Sequence, residues 1–418
     1  MAISYLSETD LAEPLTVDAA DQYVYESALT ESVVGRVGLE LETHLVDLAA
    51  VPQRPDWARV AAAADAADAP PGGSLVTLEP GGQLELSGPP ADDVLGAVTA
   101  LRSDEQRTRL ILGELGLGLA HGGADPLRAP RRINPRPRYA AMQRHFEATG
   151  QARPGAAMMC STAALQVNLE AGPAQAWRAR VGLAHQLGPT LVALSACSPW
   201  LAGRDTGWKS ARQQVWAELD SSRCGPLLGR DEPAAEWTRY AMQAPVMFFR
   251  THGDDVLPVS GIVPFGHWVS GRTALGGRGP DLADLRTHLT TLFPPVRLRG
   301  FLELRYLDVC APRWWPALAA VVAALMDDPA SADAAAEATE PTARCWTEAA
   351  RDGLGDPRLA ESARRCIAIA AERVPPELGA AVADLADLVD AGNCPGDLVA
   401  ERIAEVGPRA ALEEMAHA

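Results

Sequence analysis

Lysine is almost absent from this sequence. Lys209 is the only lysine, so 36 of the 37 basic side chains are arginines. Acidic residues outnumber basic ones and give a formal net charge of −17, which argues against a nucleic acid or an anionic membrane as a partner. Recognition of an anion must therefore rest on arginine, whose planar guanidinium binds carboxylates and phosphates through paired hydrogen bonds.

Several other signals are missing. No run reaches the ~18 consecutive apolar residues typical of a membrane span. The seven cysteines are scattered, odd in number and form no C-x-x-C, and the sequence does not open on a basic and then apolar segment. We therefore expect reduced thiols and a cytoplasmic location. The histidines never pair with cysteines at zinc-ligand spacing, and no G-x-x-x-x-G-K-[ST] phosphate loop is present.

Residues 78–87 have the pattern of a β-hairpin. Two short apolar runs flank a Pro-Gly-Gly break, which is turn chemistry between extended segments. Alternation along the second strand puts Gln83, Glu85 and Ser87 on one face, and Glu79 lies across the loop from Gln83. Glutamate is depleted in strands, so such a face indicates a use for its carboxylates. A single hairpin of this kind is also compatible with one solvated face.

The same alternation recurs in three distant segments. Each has one apolar face and one face of acids, amides or arginines, and the polar residues are Glu40, Glu42 and His44, then Gln166, Asn168 and Glu170, then Arg297, Arg299, Glu303 and Arg305. A carboxylate sheet with an arginine margin can hold metal ions and nucleotide phosphates together. For His44 we expect a structural role rather than a functional one.

The remaining pattern predicts an α+β architecture. Strands are also predicted at 245–250 and 262–268, and the Arg- and Pro-rich stretch 126–139 is predicted to be a loop that could approach an anion. Helices are predicted at 16–32, 91–120, 174–198, 209–220, 314–326 and through 331–418, after a loose tail at 1–13. No long linker or repeat interrupts the chain. We therefore expect one unit over 1–418, with a sheet-bearing core at about 33–310 and C-terminal helices at about 311–418 packed on it.

Three blocks of this sequence resemble the signatures of the plant-type glutamate–cysteine ligases. The first runs from Glu79-Pro-Gly-Gly-Gln83 to 85–88, and the second is 166–169. The third, within 288–305, contains His-Leu-Thr-Thr-Leu-Phe-Pro, Val-Arg-Leu and Leu-Glu-Leu-Arg. The resemblance runs in order from about residue 37 to the C-terminus. The Ala- and Arg-rich composition is most similar to the actinobacterial branch, whose members begin the ergothioneine pathway.

The resemblance implies a fold, a reaction and a set of ligands. The fold would be a glutamine-synthetase-like, mainly antiparallel sheet with a carboxylate-rich active face, helices on its other side and a helical C-terminal portion. The reaction would be ATP- and Mg-dependent formation of γ-glutamylcysteine from L-glutamate and L-cysteine. The metal ligands it implies are Glu40, Glu42, Glu79, Glu85 and Glu303. Distant relatives carry a metal-binding histidine where this chain has Gln166, so the ligand count stays open.

The chemistry of such a reaction accounts for the residue types. A carboxylate is a poor acylating agent, so a ligase first converts it to an acyl phosphate, and this transfer needs Mg²⁺ and arginine close to the phosphoryl oxygens. Arg305, beyond Glu303 on its face, and Glu85 are the predicted catalytic residues. The residues predicted to contact ATP or substrate are Gln83, Gln166, Asn168, Lys209, Arg212, Arg297 and Arg299. For any one arginine, a surface ion pair is the alternative.

Three other functions are compatible with parts of the pattern. A ligase of the same fold could use an amine other than cysteine. A glycoside hydrolase also uses paired carboxylates, but clustered arginines do not suit a sugar cleft. A degenerate paralogue could bind nucleotide without turnover, although the five glutamates are all present. The sequence leaves the oligomeric state open, and a monomer is compatible with it.

Overall fold

The protein is built around one antiparallel sheet. The computed structural model describes residues 14–227, 229, 232–251 and 255–418, so the predicted tail at 1–13 lies outside the described residues. The strands are β1 (Val37–Asp47), β2 (Leu75–Leu78), β3 (Leu84–Ser87), β4 (Leu117–Ala120), β5 (Ala164–Glu170), β6 (Trp200–Leu201), β7 (Arg204–Asp205), β8 (Phe248–Arg250), β9 (Val256–Pro258), β10 (Val296–Leu298) and β11 (Phe301–Asp308).

The main sheet has seven strands. Their order is β10-β11-β5-β1-β3-β2, and β4 pairs with the second half of β1. All of these pairings are antiparallel, and β6–β7 and β8–β9 form two separate hairpins. The predicted α+β class with a mainly antiparallel sheet is confirmed.

Helices surround this sheet and make up the C-terminal portion. They are α1 (Val17–Ala28), α2 (Trp57–Ala66), α3 (Val94–Glu114), α4 (Pro137–Ala148), α5 (Ala152–Ser161), α6 (Trp177–Ser195), α7 (Ala211–Ala217), α8 (Ser221–Cys224), α9 (Pro233–Gln243), α10 (Phe265–Val269), α11 (Leu282–Leu289), α12 (Trp315–Asp327), α13 (Pro329–Thr339), α14 (Trp346–Asp352), α15 (Pro357–Ala371), α16 (Pro376–Asp390) and α17 (Pro395–His417).

The apolar face of the sheet forms the main core. Alternation in β1 turns Leu39 and Leu41 to the same side, where they are at most 1% exposed. Helices α3, α6 and α12 pack on this side, against β1, β11 and β5 respectively. Almost every residue of α12 is buried, which its nearly unbroken apolar sequence requires. The opposite face of the sheet is therefore left for polar side chains.

The C-terminal helices contact the sheet-bearing part at several places. Helices α14 and α15 pack on α6, and α17 packs on β4. The indole of Trp346 lies edge-on to the Tyr306 ring, with the ring centroids 5.9 Å apart. These contacts favour the prediction of a single unit over 1–418, which stays a prediction.

Three predicted elements differ from the structure. The helix expected over 91–120 ends at Glu114, because Gly116 adopts a φ of +70° and 117–120 pairs with β1 as β4. The expected strand at 262–268 is instead the short helix α10, which begins directly after Pro264. The helix expected at 209–220 begins at Ala211, since the Ser210 side chain caps it.

Two further predictions concern the thiols and the membrane. All seven cysteines are buried and free. Among the helices of the described part, none combines the length and hydropathy that crossing a membrane requires.

The tip of the β2–β3 hairpin is held tightly against neighbouring backbone. The Pro80 carbonyl accepts hydrogen bonds from the N–H groups of Ile133 (2.9 Å) and Asn134 (3.1 Å). A Cβ atom added at Gly81 would lie 2.4 Å from the Cys160 carbonyl oxygen. Only glycine permits this close approach of two backbone segments.

Replacing Gly81 with alanine should therefore destabilise the protein and displace the hairpin. Overpacking of this kind costs about 1–3 kcal/mol, which should lower the thermal midpoint measured by circular dichroism. Gly113→Ala in α3 is the control, because nothing lies within 4 Å of the added Cβ and alanine favours a helix over glycine by ~1 kcal/mol. Equal midpoints for the two variants would contradict the close packing of the tip.

Candidate active site on the sheet

The register of the sheet brings the predicted polar residues onto one face. Glu42 in β1 lies opposite Glu85 in β3, and Glu40 lies opposite Gln166 in β5. In the neighbouring pair, Glu303 of β11 lies opposite Asn168 of β5. Because directly paired residues point to the same side of a sheet, four strands contribute to one polar surface. We call Glu40, Glu42, Glu79 and Glu85 the carboxylate cluster.

Two amides fix the orientation of the carboxylates on β1. The Gln166 side chain donates to Glu42 Oε1 (3.0 Å) and accepts a hydrogen bond from Arg305 Nη1 (2.6 Å). The Asn168 amide donates to Glu40 Oε1 (2.9 Å). Gln166 therefore connects an arginine to a glutamate, and both amides orient side chains that face the site.

Glu85 and Glu79 come from the hairpin. Glu85 Oε1 accepts hydrogen bonds from Thr77 Oγ1 (3.0 Å) and Ser87 Oγ (2.8 Å). Glu79 directly follows β2, and its N–H donates to the Gln83 carbonyl (2.9 Å) across the turn. The rigid tip at Gly81 therefore sets where Glu79 lies relative to the sheet.

The carboxylate cluster is electrostatically strained. Burial, together with the charges of Glu85 and Glu42, raises the pKa of Glu79 well above its ordinary value. Burial also raises the pKa values of Glu40, Glu42 and Glu85, and neighbouring glutamates add to each shift. Like charges in a poorly hydrated site oppose ionisation, so a bound cation would relieve this cluster.

Glu303 differs from the carboxylate cluster, because arginines surround it and lower its pKa. Its carboxylate is fully buried and is paired with Arg297, whose Nη2 donates to Glu303 Oε1 (2.8 Å) and whose Nε contacts Oε2. Arg299 and Arg305 each bring an Nη1 atom to 3.4 Å from the same Oε1. Burial alone would raise the pKa of Glu303, but Arg297 and Arg305 outweigh it and lower the pKa to about 2.

Arg305 lies between the two groups of carboxylates. Burial opposes its charge, but Glu303, Glu42, Glu40 and Glu85 outweigh that effect and raise its pKa. Arg212 donates through Nη2 to the Arg305 carbonyl (2.6 Å) and lies 3.8 Å from Asp308 Oδ1. Arg212 thus supports the backbone of β11 at Arg305.

The structure does not bring two predicted residues to this face. The Lys209 ammonium pairs with Asp397 at the start of α17, because Lys209 precedes α7 and points toward the C-terminal helices. Gln83 lies before β3, and its amide donates to the carbonyls of Thr162 (2.9 Å) and Met159 (3.4 Å). His44 hydrogen-bonds to the Gly122 carbonyl (3.1 Å) through Nε2, which fits the expected structural role.

Sequence reasoning missed two residues near the site. Arg138 donates to Thr290 Oγ1 (2.7 Å), and the charge of Glu79 acts on the pKa of the Arg138 guanidinium, although burial lowers that pKa overall. The Arg-Pro-rich loop at 126–139 was the only signal for Arg138. Asp308 holds Arg212 and accepts from Ser198 Oγ (2.6 Å), and nothing in the β11 sequence marks it as a support.

The carboxylate cluster fits a hard divalent cation in its chemistry. Carboxylate oxygens are the ligands that Mg²⁺ prefers. Four carboxyl groups with raised pKa values share this surface. Within the described ranges, no three acidic, histidine or cysteine side chains already converge on one point as metal ligands. Mg²⁺ is commonly held by one or two carboxylates together with waters and substrate phosphates, so the cluster does not need to supply every ligand.

Comparisons with known proteins agree with this geometry. The profile of "Glutamate-cysteine ligase family 2" matches residues 36–416. The chain is 49% identical to the glutamate–cysteine ligase EgtA of Mycobacterium tuberculosis over 98% of this chain and 97% of the relative. It is 32% identical to the chloroplastic glutamate–cysteine ligase of Arabidopsis thaliana over 73% of this chain and 58% of that protein.

A solved structure has a similar fold. It is the glutamate–cysteine ligase of Francisella tularensis in complex with AMP, with a TM-score of 0.59, 12% identity, and coverage of 93% of this chain and 88% of that one. The predicted resemblance to the plant-type ligases and to their actinobacterial branch is confirmed by the relatives above. This protein belongs to glutamate–cysteine ligase family 2.

Proposed function

We propose that this protein joins the γ-carboxylate of L-glutamate to the amine of L-cysteine, with ATP as the energy source and Mg²⁺ as the metal. The observation that carries the proposal is the carboxylate cluster facing Arg305 on one sheet, in a member of glutamate–cysteine ligase family 2. A cytoplasmic location and an early step of ergothioneine biosynthesis are part of the same proposal.

The reaction needs two anions to approach each other. An oxygen of the glutamate γ-carboxylate attacks the γ-phosphorus of ATP, and ADP leaves. The cysteine amine then attacks the γ-carbonyl carbon of the resulting γ-glutamyl phosphate, the C–O bond to the phosphate breaks, and the amine loses a proton. When bound by the carboxylate cluster, Mg²⁺ supplies positive charge that offsets the charge of the phosphates.

Arg305 supplies the fixed positive charge of the site. Arg212 donates to its backbone carbonyl, Gln166 accepts a hydrogen bond from its guanidinium, and Glu303 pairs with its charge. A guanidinium kept in place before the reaction stabilises charge that develops on phosphoryl oxygens without reorganising. We propose that Arg305 contacts the transferred phosphoryl group, and that Arg297 and Arg299 contact substrate anions at the edge of the sheet.

The remaining predicted site residues have different proposed roles. Gln166 and Asn168 orient Glu42 and Glu40 through the hydrogen bonds described above. Arg212 is a positioning residue for Arg305. Lys209 and Gln83 have no proposed role in the chemistry, since their side chains are bound to other parts of the chain.

The function is tested by an ATP-coupled assay. The protein is incubated with glutamate, ATP, Mg²⁺ and one candidate amine at a time, and release of ADP is measured. We expect cysteine to give the fastest release and γ-glutamylcysteine to be the product detected by mass spectrometry. Faster turnover with another amine would indicate a ligase of the same fold with a different acceptor. No release with any amine would contradict the ligase function.

The variants Glu85→Gln and Glu303→Gln distinguish a carboxylate that binds Mg²⁺ from one that holds arginines in place. Each change should lower kcat/KM by at least about 100-fold, comparable to the loss of one strong electrostatic contact in a transition state. Glu85→Gln should also raise the Mg²⁺ concentration needed for half-maximal activity. An unchanged Mg²⁺ requirement for Glu303→Gln would identify Glu303 as a holder of arginines. Near-normal activity of both variants would refute both roles.

The repulsion within the carboxylate cluster should affect the stability of the protein even without substrate. The pKa of Glu79 is raised in the folded state, so the folded protein binds protons more tightly than the unfolded chain. Its stability therefore falls as pH rises from about the ordinary glutamate pKa through the raised value. At pH 8, Mg²⁺ should raise the thermal midpoint, and it should do so less at pH 5, where the cluster is more protonated.

Glu79→Gln removes one of the repelling charges. In metal-free buffer at pH 8 this variant should unfold about 1–3 °C above the parent, and its midpoint should respond less to Mg²⁺. Glu413→Gln on the exposed side of α17 is the matched control and should behave like the parent. Equal Mg²⁺ responses of the parent and Glu79→Gln would contradict the placement of a cation in this cluster.

A further inference from the structure

A second feature of the molecule is a cleft along the free edge of the sheet. It has a volume of about 380 Å³ and lies between strand β10 and helices α1, α9 and α11. This volume is in the range of small-molecule sites. We call it the edge cleft, and its polar lining includes Tyr23, Ser27, Arg286, Thr290, Arg297 and Arg299.

The edge cleft concentrates positive charge in a strongly acidic protein. Three arginines line it, and no carboxylate does so among the described residues. Arg297 and Arg299 both contact Glu303, and this one carboxylate is also shared with Arg305. The cleft therefore has an excess of positive charge although the chain has a formal net charge of −17.

Arg286 is the residue that this excess depends on. Its Nε donates to the Tyr23 hydroxyl (3.0 Å), and its guanidinium lies over the Tyr23 ring, 5.5 Å from the centroid. Both interactions use a neutral partner, and in the described part of the chain no carboxylate pairs with Arg286. The contact with Tyr23 restrains the guanidinium and leaves its two terminal nitrogens to bind an anion.

The edge cleft shares a wall with the carboxylate face. Arg297 and Arg299 line the cleft and contact Glu303, which in turn lies 3.4 Å from Arg305. A ligand that reaches from the phosphoryl-transfer site to the end of β10 would therefore place an anionic group near Arg286. A magnesium-chelated triphosphate is less suited to this place, because its cation prefers carboxylate ligands and the described lining has none.

We propose that the edge cleft binds the α-carboxylate of an amino-acid substrate, with Arg286 as a specificity-determining residue. The inference rests on the proposed ligase function and adds a residue outside the predicted site. A guanidinium pairs with a carboxylate through two parallel hydrogen bonds, which gives geometric selectivity as well as charge. Glutamate and cysteine each carry such a group, and the experiment distinguishes them.

The test uses substrates that lack the charge. L-Isoglutamine replaces the α-carboxylate of glutamate with an amide and keeps the γ-carboxylate, and L-cysteinamide does the same for cysteine. The parent should prefer one natural substrate over its α-amide, measured as a ratio of kcat/KM values. In Arg286→Met this preference should shrink by roughly 10- to 100-fold for that substrate, the size of one lost charge-assisted hydrogen-bonded pair.

Two further variants define the role. Tyr23→Phe removes the hydroxyl that restrains Arg286 and should raise KM for the same amino acid while kcat changes little. Arg313→Met is the matched control, because Arg313 also stacks on an aromatic ring, 4.5 Å from the centroid of Trp314, and lies outside the cleft. It should leave every ratio unchanged.

The outcomes are separable. Unchanged discrimination against both α-amides in Arg286→Met would overturn the inference, and so would an effect of Arg286→Met on KM for ATP alone. An inactive parent enzyme would instead contradict the proposed ligase function on which the inference depends.

Discussion

The site depends on the balance between one arginine and the acids around it. Arg305 is surrounded by Glu40, Glu42, Glu85 and Glu303, and these charges stabilise its guanidinium in a buried position. Buried charges are costly unless they are paired. Arg305 does not neutralise the whole surface, since the cluster keeps raised pKa values. The uncompensated negative charge is what makes a metal-bound, phosphate-bearing substrate a suitable partner in the proposed reaction.

The antiparallel sheet makes this arrangement possible. In the strands that carry the site, one face is apolar and lies in the core, and the other carries charged and amide side chains in register. Glu303 on β11 and Glu85 on β3 are separated along the sheet by β5 and β1, so arginines gather at one side and free carboxylates at the other. Rigid supports hold both ends, since Arg212 donates to the β11 backbone and the hairpin tip at Gly81 is packed closely on neighbouring backbone.

Much of the fold and of the acidic surface could be predicted from the sequence. A two-residue period is a local property, so the faces of β1, β3, β5 and β11 follow from it, and the family resemblance supplied the order of the motifs. Where the prediction from sequence failed, the reason is also physical. Gln83 stands one residue before β3, where alternation no longer fixes its direction, and its amide binds the α5–β5 connection instead.

Contacts between distant segments could not be read from local patterns. Lys209 pairs with Asp397, and Arg286 binds Tyr23, in each case across a large part of the chain. The pairing of 117–120 with β1 was missed for the same reason, because four apolar or small residues after a long helix carry no strand signal of their own. Such contacts depend on the tertiary fold, which places the helices around the sheet edge.

The account makes a chemical claim that isotope labelling tests most directly. If the carboxylate of glutamate is phosphorylated before the amine attacks, one of its oxygens must leave with the phosphate. Glutamate labelled with ¹⁸O in the γ-carboxylate should therefore transfer one ¹⁸O atom to each released phosphate, only when ATP and cysteine are present. Unlabelled phosphate, or formation of γ-glutamylcysteine without ATP, would contradict the proposed mechanism.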